Sequence, residues 1–217
     1  VLMNPPYGGN EKDSVKSNFP SDLRSSETAD LFIDIIMFRL KKNGRCAIIL
    51  PDGFLFGTDN AKVNIKKKLL SEFNLHTIIR LPKSVFAPYT SITTNVLFFD
   101  KNNTGTEKTW FYRMDLPEGY KAFSKTKPIQ SRHFDVVRDW WNNRSEIVDE
   151  EGNYKSKAYS KLELSNMNYN FDLCGFPNKT EEILEPDVLI NEYLERKQSL
   201  NEGISDILAR IKAVLEA

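Results

Sequence analysis

Short apolar runs alternate with longer helix-like segments along the first hundred residues. Residues 45–51 form a continuous apolar run bounded by Gly and Pro, which is typical of a central strand in a parallel sheet. Residues 75–82 and 93–101 indicate two further strands. Residues 1–3 indicate the end of a buried strand, because the prolines that follow give no donor to a sheet. The pattern therefore predicts four strands.

Two helical segments separate these strands. Residues 25–44 start with Ser, Thr and Glu, continue with a stretch that is apolar nearly all round, and end with lysines before Gly44, so they predict a buried helix. A second helix is predicted from Asp59 to Phe73. The order strand, helix, strand, helix, strand, strand predicts an α/β fold with helices on both faces of a sheet. The third and fourth strands are too close in sequence for a helical crossover, so we expect them to be antiparallel.

The pattern changes after Lys101. Residues 109–116 predict one more strand at a sheet edge, and residues 127–143 predict a helix with Phe134, Val137 and Trp141 on one face. A polar stretch rich in Tyr and Asn then runs to about residue 179. From Pro186 to the end, apolar residues at steps of three and four predict one coiled-coil-like helix.

The charge, the cysteines and the length of the apolar runs limit the kinds of protein that this sequence can encode. The 30 basic and 30 acidic side chains balance, so any contact with nucleic acid must come from local patches. Basic residues dominate positions 60–90, and acidic residues dominate positions 181–217. Cys46 and Cys174 have no metal-ligand or disulfide spacing, and no apolar run is long enough for a membrane span. We expect a cytoplasmic protein without a metal site, although the start within an apolar run indicates a piece of a longer chain.

The sequence Asn4-Pro5-Pro6-Tyr7 carries the strongest candidate chemistry. Pro5 restricts Asn4 to extended geometry, and Pro6 does the same to Pro5, so their carbonyl groups are fixed and free of local donors. A side-chain amide oxygen and a main-chain carbonyl can then accept two hydrogen bonds from one amine. Such acceptors stabilise the positive charge that develops when the nitrogen attacks an electrophile. Tyr7 offers a ring face for a planar group, whereas an ordinary turn is the competing interpretation of this tetrapeptide.

The tetrapeptide after a strand resembles the catalytic motif of amino-group methyltransferases that use S-adenosylmethionine, particularly the adenine-N6 DNA enzymes. Two longer stretches resemble the modification subunit of type I restriction–modification systems, and they read ADLFIDIIMFRLKKNGRCAIILPDGFLFG and IIRLPKSVFAPYTSITTNVLFFDK. The resemblance implies that Asn4 and the Pro5 carbonyl hold the target amine and that Tyr7 stacks on an extruded adenine. It also implies that Phe86 touches the base from another side, although a core position is equally reasonable for this residue.

The resemblance implies the C-terminal half of a Rossmann-like methyltransferase sheet over residues 1–127 and a mainly helical extension for subunit assembly over residues 128–217. The glycine-rich cofactor loop and the acidic residue of this family precede the Asn-Pro-Pro-Tyr motif, and this sequence contains neither. Gly8 and Gly9 do not link a strand to a helix and are no substitute. We therefore expect weak or no binding of S-adenosylmethionine, and no methyl transfer, by these residues alone.

The resemblance further implies double-stranded DNA, a specificity subunit, a restriction subunit and a second modification subunit as partners. Two other functions stay open at this point. The same amine-holding logic suits a methyltransferase that acts on a glutamine side chain or an RNA base, and the region could instead be a non-catalytic assembly module.

Other candidate residues give weaker evidence of a functional role. Lys66, Lys67 and Lys68 could contact phosphates, but a solvated helix face is the commoner interpretation of such a run. Asp52 follows a strand and could touch substrate or cofactor, although Asp-Gly after Pro is also an ordinary turn. His76 lies within a predicted strand, where a structural role is favoured.

Overall fold

The computed structural model describes residues 1–102, 104–149, 152–175 and 186–215. The chain divides into two compact units, Val1–Pro177 and Asn178–Ala217. Each unit is considered separately below.

The first unit contains seven strands and six α-helices among its described residues, in agreement with the predicted α/β class. The strands are β1 (Leu2–Met3), β2 (Arg45–Pro51), β3 (Asn74–Arg80), β4 (Thr94–Asp100), β5 (Lys108–Arg113), β6 (Ile147–Val148) and β7 (Tyr154–Ser160). The helices are α1 (Asp13–Lys16), α2 (Thr28–Arg39), α3 (Asp52–Phe56), α4 (Asn60–Glu72), α5 (Asp135–Asn142) and α6 (Lys161–Asn166), and a 3-10 turn at Ser131–Phe134 precedes α5.

All seven strands form one mixed sheet in the order β1-β2-β4-β3-β5-β7-β6. The strand β1 is parallel to β2, and β3 is parallel to β5. Strand β4 lies between β2 and β3 and is antiparallel to both. The predicted antiparallel pairing of the third and fourth strands is confirmed, because the short connection between them allows no helical crossover.

The predicted position of the fifth strand at a sheet edge is wrong. Strand β5 lies inside the sheet, where it pairs with β3 on one side and with β7 on the other. The polar stretch after α5 supplies β6, β7 and α6. Strand β7 has the sequence YKSKAYS, and only Ser156 within it is fully buried. A strand of this kind carries no apolar run, so hydrophobic periodicity does not reveal it.

Helices cover both faces of the sheet, as the sequence predicted. Neighbouring residues of β3 point to opposite faces, and Ile78 packs in the larger core with apolar residues of α2 and α4. Ile79 packs in the smaller core with Val137 and Trp140 of α5. The predicted apolar face of α5 is also observed, because Phe134, Val137 and Trp141 line a cavity of about 410 Å³ together with side chains of β3 and β4.

The second unit contains one long helix, α7 (Pro186–Leu215), which confirms the predicted C-terminal helix. Six members of the predicted apolar stripe are exposed, and so are two apolar neighbours; the members are Tyr193, Leu200, Ile204, Ile207, Leu208 and Ile211, and the neighbours are Ile190 and Leu194. The side chains of Leu189 and Leu215, which also belong to the predicted stripe, lie outside the described set. Within the described ranges, no helix is long and apolar enough to cross a membrane. The functional division at residue 127 stays a prediction.

Candidate active site

The predicted site residues lie beyond the carboxyl ends of three strands that run in the same direction. Asn4 follows β1, Asp52 follows β2, and Phe86 lies in the loop that follows β3. Strands β1 and β2 are parallel, and β3 has the same direction because both β2 and β3 are antiparallel to β4. These loops therefore emerge at one edge of the sheet, where ligands bind in open α/β folds.

Tyr7 and Phe86 meet at this edge although they are far apart in sequence. Their ring centroids lie 6.1 Å apart, and the ring planes make an angle of 63°. This edge-to-face arrangement is a favourable one for two aromatic rings. Both side chains are only half-buried. The structure thus places together the two aromatic residues that the resemblance assigns to one planar ligand.

The Asn4 side chain is held by the same tyrosine. The Tyr7 hydroxyl donates a hydrogen bond to Asn4 Oδ1. Burial raises the pKa of Tyr7 to about 12, so the phenol is a protonated donor at neutral pH. An amide oxygen has two lone pairs, so Asn4 keeps one acceptor position for an incoming amine. The Pro5 ring between them is buried, whereas Asn4 and Pro6 are exposed.

The loop after the motif is fixed to the start of α2. The Thr28 amide donates to the Gly9 carbonyl at 2.9 Å, and the Thr28 hydroxyl donates to Glu11 at 3.0 Å. A Cβ atom on Gly9 would lie 2.6 Å from Thr28 Oγ1. A side chain at position 9 would force Thr28 to move, so glycine favours the close approach between the loop and the helix. This contact gives Gly9 a packing role. Gly9 does not lie in a turn that links a strand directly to a helix, which is the kind of turn that binds a cofactor.

A buried charge cluster supports the same helix start. Lys62 Nζ lies 2.6 Å from Glu27, 3.0 Å from Asp30 and 3.2 Å from Asp59. Burial opposes the charged form of Lys62, but its hydrogen bonds to Glu27 and Asp30 raise its pKa. Burial raises the pKa of Asp30, although Ser25 donates to it at 2.5 Å. The cluster joins the beginnings of α2 and α4, and so it stabilises the helix that anchors the motif loop.

Asp52 is part of a second polar cluster, which belongs to the fold. Arg80 donates to Asp52 Oδ1 at 2.9 Å and to Asp172 Oδ1 at 2.5 Å, and it also donates to the Gly175 carbonyl at 2.9 Å. The Asn95 side chain donates to Asp52 Oδ1 at 2.6 Å. Asp52 Oδ1 thus accepts hydrogen bonds from two neighbours, which gives Asp52 a structural role.

Arg80 itself was missed by the sequence reasoning. Its side chain is 2 % exposed. Burial disfavours its charge, but the carboxylates of Asp172 and Asp52 contribute to raising the pKa of Arg80. The signal in the sequence is an arginine between Ile79 and Leu81 in a predicted strand, because a charge at a buried position needs a counter-charge.

The lysine run of α4 is not a solvated face, so the favoured interpretation of that run is wrong. Lys66 is fully buried and donates to the Leu55 and Gly57 carbonyls at 2.6 and 3.0 Å. Lys68 pairs with Asp34 at 3.3 Å, and the exposed Lys67 lies over the Tyr169 ring at 5.4 Å. The helix turns these neighbouring lysines towards different surroundings, so the run presents no common basic face.

His76 has the structural surroundings that the sequence favoured. Its Nδ1 lies 2.9 Å from Thr77 Oγ1, and its ring packs edge-on against Trp141 at 5.7 Å. Burial lowers its pKa. Among the described residues, no group of three or more His, Cys, Asp or Glu side chains could hold a metal ion.

Comparison with known proteins identifies relatives of the chain. The family model for N-6 DNA methylases matches residues 1–184. The methylase subunit of the type I restriction enzyme EcoEI from Escherichia coli is 41% identical over 204 residues, which cover 93% of this chain and 41% of that subunit. The chain therefore spans about two fifths of the length of this relative.

Solved structures give the same result. A modification subunit of a putative type I restriction enzyme from Vibrio vulnificus YJ016 superimposes with a TM-score of 0.70 at 41% identity, covering 85% of this chain and 39% of that one. A chain from a structural study of complex assembly and conformational transition in a type I R-M system gives a TM-score of 0.71 at 34% identity, covering 97% of this chain and 45% of that one. Because the family model covers most of its length, the chain belongs to the N-6 DNA methylase family.

Proposed function

We propose that these residues form the part of an adenine-N6 DNA methyltransferase that binds the target amine, within a type I restriction–modification system. The observation that carries the proposal is the meeting of Asn4, Tyr7 and Phe86 at the carboxyl edge of the sheet. Membership of the N-6 DNA methylase family and the similarity to type I subunits support it. The substrate would be chromosomal DNA, so we infer a cytoplasmic protein.

Asn4 and Pro5 would act on the amine of the target adenine. The lone pair of that nitrogen is delocalised into the ring, which makes it a weak nucleophile. Hydrogen bonds from the amine to Asn4 Oδ1 and to the Pro5 carbonyl favour localisation of the lone pair and stabilise the charge that develops on nitrogen. The bond from Tyr7 to Asn4 orients the amide oxygen before the substrate arrives. Pro6 keeps the Pro5 carbonyl fixed.

Tyr7 and Phe86 would hold the purine. The amine of a paired adenine is engaged within the duplex, so the base must leave the stack before it can react. Stacking of a base on an aromatic side chain contributes about 1–3 kcal/mol. The edge-to-face pair of half-buried rings presents two aromatic surfaces near Asn4, and this geometry suits an extruded base.

S-adenosylmethionine would supply the methyl group, but we assign it to no residue of this chain. Gly8 and Gly9 are the glycines nearest the motif, and Gly9 is occupied by its contact with Thr28. The acceptors at Asn4 and Pro5 suit a donor such as an amine. Neither glycine forms a strand-to-helix turn for the cofactor, and weak or no binding of S-adenosylmethionine by these residues alone stays a prediction.

The proposed partners include a specificity subunit, a restriction subunit and a second modification subunit in addition to double-stranded DNA. The exposed apolar stripe of α7 supports a role in assembly, because such a stripe at coiled-coil spacing fits another helix. Truncation at Pro186 should abolish binding of the specificity subunit while the remaining protein stays folded. Assembly of the truncated protein would contradict the role of α7.

Replacement of Asn4 by alanine in the full-length protein tests the catalytic assignment. We expect methylation of the DNA site to fall by roughly 10³-fold, because the developing charge on nitrogen loses an acceptor. DNA binding, measured by fluorescence anisotropy, should remain. The matched control is Asn60→Ala, since Asn60 is an exposed asparagine at the start of α4. Equal methylation by the Asn4→Ala protein and the control would disprove the assignment.

A further inference from the structure

The loop that carries Phe86 is a series of tight turns. Successive backbone hydrogen bonds link Val85 to Pro82, Ala87 to Ser84 and Tyr89 to Phe86, at 3.0, 3.0 and 2.9 Å. The Ser84 hydroxyl accepts a hydrogen bond from the Phe123 amide at 2.8 Å, which fastens the loop to the body of the unit. These bonds define the course of the backbone and so the points from which Phe86 and Tyr89 project.

This loop presents one aromatic residue inward and one outward. Phe86 is half-buried against Tyr7, whereas Tyr89, one turn later, is 91 % exposed. Ile92 follows at 44 % exposure. Single exposed apolar side chains are common on protein surfaces, so Tyr89 is of interest because it lies on the loop that carries Phe86. The sequence of residues 82–93 contains Lys83 and no acidic residue, so its charge suits a polyanion.

Extrusion of the target base would leave a gap in the DNA stack near Phe86. An adenine that leaves the duplex also leaves a gap in the base stack, and the lost stacking costs a few kcal/mol. Proteins that distort DNA insert apolar or aromatic side chains between bases to offset such a cost. A tyrosine ring offers a flat apolar surface for stacking and a polar tip that stays in water.

We propose that Tyr89 enters the DNA stack at the position that the target adenine vacates, while Tyr7 and Phe86 hold the extruded base. The inference rests on the proposed function. The turn between Phe86 and Tyr89 couples the two events, because one hydrogen-bonded loop carries both the side chain that receives the base and the side chain that replaces it. Double-stranded DNA is the occupant, and a protein subunit on Tyr89 is the competing outcome of the test.

The test compares two DNA duplexes in the full-length methyltransferase complex. One duplex contains the target adenine paired with thymine, and the other contains the same adenine in a mismatch, where extrusion costs less. We expect Tyr89→Ala to lower methylation of the paired duplex by about 10- to 100-fold and to leave methylation of the mismatched duplex near the wild-type rate. Tyr89→Trp should retain activity on both. The control is Phe38→Ala, because Phe38 is an exposed aromatic residue (79 %) near the C-terminal end of α2.

Each outcome has a separate meaning. Loss of activity on both duplexes, or on neither, would overturn the role of Tyr89 in filling the gap. Loss of subunit assembly in the Tyr89→Ala complex, measured by size-exclusion chromatography, would place a protein on this residue and would also overturn it. A wild-type complex that methylates neither duplex would reject the proposed function itself, and the inference would fall with it.

Discussion

Two polar clusters lie at the same edge of the sheet and differ in how their polar atoms are used. In the Asn4–Tyr7 cluster, the amide of Asn4 is exposed and its oxygen accepts one hydrogen bond within the protein. In the Arg80 cluster, the guanidinium is 2 % exposed and donates to Asp52, Asp172 and the Gly175 carbonyl. The first cluster keeps acceptor capacity for a ligand, and the second uses its capacity within the fold.

The hydrogen bonds within each cluster distinguish a residue that serves function from one that serves stability, and they do so better than sequence position does. Asn4 and Asp52 both follow a strand at the carboxyl edge, so sequence position makes them equal candidates. The contacts distinguish them, because Asp52 is engaged by Arg80 and by Asn95. Substitutions in the Arg80 cluster should therefore change the free energy of unfolding, and substitutions in the Asn4–Tyr7 cluster should change methylation.

Arg80→Ala should give the largest effect on stability. The substitution leaves Asp52 and Asp172 without their cationic partner, and their side chains are only 17 % and 31 % exposed. Removal of one member of a buried ion pair costs about 3–5 kcal/mol. The free energy of unfolding from urea denaturation should fall by roughly this amount in the full-length protein.

The matched control is Arg39→Ala, at an exposed arginine in the last turn of α2, which should change the free energy of unfolding by about 0.5 kcal/mol or less. If Arg80→Ala lowers the free energy of unfolding by less than about 1 kcal/mol, the Arg80 cluster does not have the stabilising role assigned to it.

Lys66 is a second buried cation, and it has no direct carboxylate partner among the described residues. It donates to two carbonyls and lies over the rings of Phe54 and Phe171. Burial lowers its pKa to about 8 from 10.5, despite the opposing charges of Asp30 and Asp59. Carboxylates instead help to raise the pKa of the buried Arg80. A direct carboxylate partner thus offsets the effect of burial at Arg80, whereas burial prevails at Lys66.

The lowered pKa of Lys66 predicts a dependence of stability on pH. Between about pH 8 and pH 10.5 the unfolded lysine still binds a proton that the folded lysine has lost. The free energy of unfolding should therefore rise with pH across this window, by on the order of 1 to 3 kcal/mol relative to a Lys66→Met protein. Lys67→Met, at the exposed neighbour, should follow the wild-type pH dependence. Parallel curves for wild-type protein and Lys66→Met would contradict the assignment.

The sequence predicted the parts of the fold that follow from hydrophobic patterning. The four strands of the first hundred residues and the helices α2, α4 and α7 are observed close to their expected positions. The strand β7 could not be predicted in this way, because its burial comes from pairing in the sheet and its side chains are mostly Lys, Ser and Tyr. Its pairing also explains why β5 is not an edge strand.

The same limit applies to the candidate site. A proline-fixed motif after a strand can be recognised locally, so Asn4 and Tyr7 were accessible from the sequence. The link between Arg80 and Asp172 joins residues that are 92 positions apart in the sequence, and no local pattern encodes it. The burial of Lys66 could not be predicted for a related reason. A run of three lysines has the composition of a solvated helix surface.

Tyr7→Phe should have the smallest effect of these substitutions, and it tests the Asn4–Tyr7 cluster most directly. The substitution keeps the ring that faces Phe86 and removes the hydroxyl that donates to Asn4. One hydrogen bond contributes about 0.5–1.5 kcal/mol, so we expect kcat for methylation to fall by up to roughly 10-fold. Because Asn4 is exposed and water can replace the lost bond, the free energy of unfolding should change by about 0.5 kcal/mol or less.

The pH profile of Tyr7→Phe supplies the decisive control. Because the pKa of Tyr7 is raised to about 12, its hydroxyl stays protonated throughout the range in which the enzyme can be assayed. The ratio of wild-type to Tyr7→Phe rates should therefore be constant between pH 7 and about pH 10. A ratio that changes within this range would mean that the hydroxyl titrates during catalysis. Tyr7 would then act on protons in the reaction, and its role would extend beyond orienting the Asn4 amide.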